Sequence, residues 1–190
     1  MIKTESFEKL EITHPDALWA WLGKNHGQAD SIWLVTWKAA NRDKYVSRDD
    51  VLDALVAYGW IDGIRRKLDD LRTMQLISPR KQQIWAGSYK ARAARLKTDG
   101  RMAEPGHRAI AEAKANGLWD AMGDVDALQV PEDLRAAFAP DAAAWFDAAA
   151  PSYRRNVLRW IAGAKRAPTR AKRVLEVARR AELGEKVPQY

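Results

Sequence analysis

Hydrophobic and polar positions follow two different periods in the first hundred residues and a single one afterwards. Residues 31–38 (SIWLVTWK) are almost continuously apolar, β-branched and aromatic. That is the signature of a strand covered on both faces and therefore central in a sheet. Residues 5–12 alternate weakly and predict a first strand ahead of it. Between the two, Ala17, Leu18, Trp21 and Leu22 recur at helical spacing. They follow Thr13-His14-Pro15-Asp16, a helix start with proline near the first helical position. This helix is expected to run to about Asn25 and to end at His26-Gly27. A second helix follows Ser47-Arg48-Asp49-Asp50, a capping-box-like start, with Val51, Leu52, Leu55 and Val56 on one face. Gly59 suits the left-handed position that ends it.

The stretch 58–89 is the densest in aromatic, carboxylate and guanidinium groups. It predicts strands at 60–67 and 72–78, joined by the short hairpin loop Leu68-Asp69-Asp70-Leu71. Gly63 interrupts the first of these strands, which points to a bulge or a close backbone approach. Ser78-Pro79-Arg80 breaks the second. Helical spacing returns from about residue 82 to residue 98, with Trp85, Tyr89, Ala93 and Leu96 on one side and Gly100 as the stop. Beyond it the strand pattern vanishes. Helices are expected from Pro105 to Gly117, from Pro131 to about Pro140, behind an Asp141 cap, from Pro151, and from beyond Pro168-Thr169 to Leu183, whose apolar residues are Val174, Leu175 and Ala178. Residues 122–130 read as a polar linker. The fold class is therefore α+β: a small, mostly antiparallel sheet with helices in the N-terminal half, and an all-helical C-terminal half. The expected domains are residues 1–101 and residues 102–190.

Charge changes this picture more than composition does. The net charge of +7 is distributed as −2 over residues 1–60, +7 over 61–101, −6 over 102–150 and +8 over 151–190. The two basic segments either pair with the acidic one between them or face an anionic partner. Cysteine is absent, which excludes disulfides, thiol nucleophiles and cysteine metal sites. His14, His26 and His107 lie far apart, so no metal set and no cofactor is expected. The first residues lack an apolar core of the secretory type, and no run is long enough to span a bilayer, so a cytoplasmic location is expected. Glycine-rich phosphate loops, zinc-protease and serine-hydrolase motifs are all missing. No reaction is named by the residues, and the reading leans away from an enzyme.

GWIDG, the arginine-rich strand after it, SPR and the tryptophan that follows resemble the N-terminal part of the YdeI/OmpD-associated, or bacteriocin-protection, family. Pro151-Ser152, Arg154, Trp160-Ile161, Ala164-Lys165, Thr169-Arg170 and Lys172-Arg173 are similar to that family's C-terminal module. Ala86 and Tyr89 depart from it, because the family places serine and asparagine there. The resemblance implies a bacterial protein of stress or antimicrobial-peptide tolerance and carries no catalytic residues with it. The residues themselves suggest a cleft lined by Trp60, Asp62, Arg65, Arg66, Arg80, Trp85 and Tyr89, taking an anionic or aromatic small ligand or a peptide. Asp62 is expected to pair with Arg65 or Arg80. The alternative is a nucleic-acid-binding protein using Arg155, Arg159, Arg166, Arg170, Lys172 and Arg173.

Overall fold

The computed structural model describes residues 6–188. Residue 5, the start of the expected first strand, lies outside them. The chain divides into two compact units, Met1–Ala121 and Met122–Tyr190. Among the described residues no helix is long and apolar enough to cross a membrane.

The first unit holds β1 (Lys9–Glu11), α1 (Pro15–Asn25), β2 (Ile32–Trp37), α2 (Arg48–Ala57), β3 (Trp60–Lys67), β4 (Arg72–Pro79), α3 (Gly87–Thr98) and α4 (Glu104–Ala115). The strands form one sheet in the order β1-β2-β4-β3. β1 and β2 are parallel, and the other two pairings are antiparallel. β2 is inside the sheet and buried along most of its length, as its unbroken apolar run requires. Leu18 and Leu22 of α1 and Val51, Ala54 and Leu55 of α2 pack with Ile32, Leu34, Trp60 and Ile77 of the sheet. His14 caps α1 by accepting from the Asp16 amide, and Ser47 caps α2 by accepting from the Asp50 amide.

Two glycines set where the helices can go. Gly59 ends α2 at φ 70°, a backbone state that side chains other than glycine's resist. Gly106, in the first turns of α4, lies so close to the Ala57 carbonyl that any side chain there would collide with backbone. An added Cβ would also sit 2.6 Å from Met102 Sδ. This contact packs α4 directly on the C-terminal end of α2. The register slips by one residue between Asp62 and Arg65, the bulge expected at Gly63.

The expected helix from about residue 82 is corrected here. Residues 82–86 are not helical, and α3 begins only at Gly87, after an extended Ala86. The Trp85 amide is instead spent on the Leu118 carbonyl at 3.2 Å, which holds the chain off the helical path.

Among the described residues the second unit contains helices and no strand: α5 (Gly123–Asp126), α6 (Glu132–Ala137), α7 (Pro140–Ala148), α8 (Pro151–Ala162) and α9 (Ala167–Glu182). Its core gathers Leu134, Phe146, Tyr153, Val157, Ile161, Val174 and Val177. The expected linker at 122–130 contains α5, because Met122 and Val125 are buried in that core. Asp141 does not cap α7. Pro140 already occupies its first turn, Ala139 is the cap position, and Asp141 lies inside the first turn. Likewise Pro168 opens α9 rather than lying ahead of it. Leu175, expected on its apolar face, is 65% exposed, and Val177 is buried in its stead.

Candidate functional site

The site builds up around Asp62 on the sheet. In β3, Asp62 stands opposite Ile77, whose side chain is buried against α1 and α2, so the carboxylate points to the helix side. Gln75, one pleat along β4, donates from Nε2 to Asp62 Oδ2 at 2.9 Å. Tyr89, in the first turn of α3, donates its hydroxyl hydrogen to Oδ1. Arg48, at the start of α2, comes within 3.9 Å of Oδ2. Burial and the hydrogen bond to Asp62 push the Tyr89 hydroxyl up to about 12.

Arg80 completes the cluster. Its guanidinium lies 4.0 Å over the Trp85 ring and 4.9 Å from the Tyr89 ring, stacked between two aromatic faces. Nη1 donates to the Gln83 and Ile84 carbonyls at a long 3.4 Å each. Nε and Nη2 are buried and have no partner among the described residues. Burial pushes the guanidinium down to about 10, which leaves it charged at neutral pH. Nε and Nη2 form one edge of the planar group, the edge that grips a carboxylate or phosphate side-on.

Four of the seven residues expected in a cleft are thus brought together: Asp62, Arg80, Trp85 and Tyr89. Trp60 is not with them. It is fully buried, stacks edge-on to Trp21 and donates to the His26 carbonyl at 3.1 Å, so it belongs to the core. Nor does Asp62 form an ion pair with Arg65 or Arg80. The bulge is the physical reason for the misplaced arginines. One extra residue keeps Arg65 exposed opposite Gln75 and sends Arg66 to the other face, over the Trp33 ring at 5.4 Å. Sequence reasoning missed Arg48, read only as part of a helix start, and Gln75, an ordinary strand position.

It also missed Asp53. This carboxylate is buried in α2 beside α3. It accepts from Arg92 and from Arg95 at 2.5 Å, with Arg101 at 3.9 Å. Burial works against its ionised form, but the hydrogen bonds from Arg95 and Arg92 outweigh it and hold Asp53 below the usual carboxylate range.

In the second unit the basic residues divide. Arg170 is forked onto Asp133 at 2.7 and 2.9 Å, and Arg173 donates to the Trp160 carbonyl. Arg154 reaches the Leu128 and Asp147 carbonyls. Arg155, Arg159, Arg166 and Lys172 make no ion pair among the described residues. Part of the acidic excess of 102–150 therefore neutralises the basic helices from within.

An α+β sheet unit with a ring-stacked arginine beside a hydrogen-bonded carboxylate, followed by a helical unit, defines the class of protein. Residues 10–109, more than half of the 190, match a family described as a domain of unknown function (DUF8412), and the chain belongs to that family. Residues 127–184 match the family described as bacteriocin-protection, YdeI or OmpD-associated. The resemblance read from the C-terminal signature is thereby shown for the second unit, whereas GWIDG and its strand fall within the other match. No curated protein and no solved structure matches the chain.

Proposed function

We propose that the chain is a non-enzymatic binding protein whose first unit takes a small anionic ligand at Arg80. One observation carries this reading: the Nε–Nη2 edge of Arg80 is buried without a partner. Buried donors left unpaired cost the fold stability, and a side-on carboxylate or phosphate relieves that cost. Trp85 and Tyr89 hold the guanidinium plane fixed, so little freedom is lost on binding. The bonds from Nη1 to the exposed Gln83 and Ile84 carbonyls are long and therefore weak. The match of the second unit to bacteriocin-protection proteins supports a role in tolerance of bacteriocins or antimicrobial peptides, which we propose is exercised in the cytoplasm.

Titration with benzoate and with inorganic phosphate, followed by tryptophan fluorescence, is expected to give saturable binding. Arg80→Lys keeps the charge but loses the planar edge, and is expected to weaken binding roughly tenfold or more. Arg80→Met removes the unpaired donors, so its melting temperature should hold or rise while binding disappears. A melting temperature well below that of the parent, or binding unchanged in Arg80→Lys, rejects the reading. In cells challenged with a bacteriocin, protection should follow the binding of these variants.

The nucleic-acid alternative retains the exposed Arg159, Arg166 and Lys172 and the half-buried Arg155 as its cations without an acidic partner among the described residues. Binding to duplex DNA is expected to be weak and to vanish between roughly 50 and 200 mM salt.

Tyr89 adds a pH dependence. Its folded value lies above the ordinary 10, so its contribution is complete below pH 10 and is lost as pH rises towards about 12. Ultraviolet titration of the folded protein should show late-ionising tyrosines, because burial raises Tyr153 as well, and Tyr89→Phe should remove one of these steps.

A further inference from the structure

The second unit carries a surface that the Arg80 site does not use. α9 buries Val174, Val177, Ala178 and Ala181 on one side. Its other side presents Leu175, 65% exposed, in the lining of an open groove of about 910 Å³. Trp160 of α8, Pro168 and Pro188 supply the rest of its apolar wall. Lys172 and Arg179, seven residues apart on α9, flank Leu175 on its rim.

The rim is positive. Among the described residues Glu176 is its one carboxylate, and it is already held by Arg179 at 3.0 Å and Arg180 at 3.1 Å. Arg173 gives its hydrogen bond to a neutral carbonyl and so keeps its full charge, while stacking at 5.1 Å on Trp160. Lys172 has no acidic partner among the described residues.

We infer that this groove docks an acidic amphipathic helix of a partner protein. An apolar stripe at i, i+3, i+4 and i+7 would cover Leu175 and Trp160, and flanking carboxylates would meet Lys172, Arg173 and Arg179. Tryptophan and arginine are the residues enriched in binding hot spots, and Leu175 adds exposed apolar surface beside them. A phosphate backbone gains nothing from desolvating Leu175, and a flat bilayer does not enter a concave wall. Cationic peptides are repelled by the rim.

The test uses the full chain and two labelled peptides of about 16 residues. They share one leucine stripe, and the remaining positions are glutamate in one and lysine in the other. Fluorescence anisotropy should show saturable binding of the acidic peptide only, weakening as salt rises. Leu175→Asp is expected to cost roughly tenfold or more in affinity. The exposure of Leu175 leaves the fold intact in that variant, which circular dichroism checks. Lys172→Glu combined with Arg179→Glu should shift the preference to the lysine peptide. Equal affinity for both peptides, no saturable binding, or no loss in Leu175→Asp overturns the proposal. So does tighter binding to anionic phospholipid vesicles or duplex DNA than to the acidic peptide. Arg80→Met should bind the acidic peptide as the parent does, so this proposal and the ligand site stand or fall separately.

Discussion

Replacing Asp53 with alanine is expected to destabilise the first unit by about 3–5 kcal/mol, the cost of removing one partner from a buried ion cluster. The carboxylate is the shared acceptor of Arg92 and Arg95. Without it, Arg92 keeps Asp49 at 2.6 Å and Arg95 keeps only a distant Asp99 at 3.6 Å. Their charges then repel across the seam between α2 and α3. The same carboxylate gives the fold an acid limit. Its folded value lies below the ordinary 3.8, so its stabilisation is complete above that pH and is lost as pH falls through the lower, folded value. Urea midpoints measured from pH 7 down to pH 2 should fall more steeply for the parent than for Asp53→Ala. Parallel pH profiles, or a loss of under about 1 kcal/mol at pH 7, would show that the cluster is merely a surface network.

Trp60→Ala is expected to be comparably damaging, at about 3–5 kcal/mol. The side chain is completely buried between α1 and the sheet, and its indole N–H satisfies the His26 carbonyl. Removing it leaves a cavity and an unpaired acceptor together. The loss belongs to folding, so benzoate or phosphate affinity, measured where the variant is still folded, should stay within about threefold of the parent. A large loss of affinity with little loss of stability would return Trp60 to the ligand site.

Periodicity and capping residues made the first half of the fold legible. The bounds of α1 and β3 follow from proline, glycine and alternation alone, and Gly63 announced its bulge. What stayed hidden depended on distant parts of the chain. Residues 82–86 have helical spacing, but a backbone bond to Leu118 holds Trp85 in place. Residues 122–130 look polar, yet Met122 and Val125 meet a core made by α8 and α9. At the site, Asp62 and Arg80 stood out for their chemistry, and their partners did not. Local charge excess pointed to Arg65, whereas strand register chose Gln75 and the placing of α2 and α3 chose Arg48 and Tyr89. Trp60 shows the same limit, because an aromatic beside basic residues reads alike whether it lines a cleft or fills a core.

The position of β3 at the end of the sheet has a consequence for the behaviour of many copies in solution. One side of this strand has no neighbour within the sheet, and the opposite margin is closed off by β1, only three residues long. An open strand edge is a template on which a second molecule can add its own strand and begin a growing stack. Here the slip at Gly63 breaks the straight ladder such an addition needs, and Arg65, Arg66 and Lys67 stand exposed just past it. Two copies approaching edge to edge would bring six cations together. The half-exposed Ile64 beside them would otherwise favour that approach. One irregular step and the charges of Arg65 and Arg66, beside a Lys67 already paired with Asp70, therefore oppose edge-to-edge pairing.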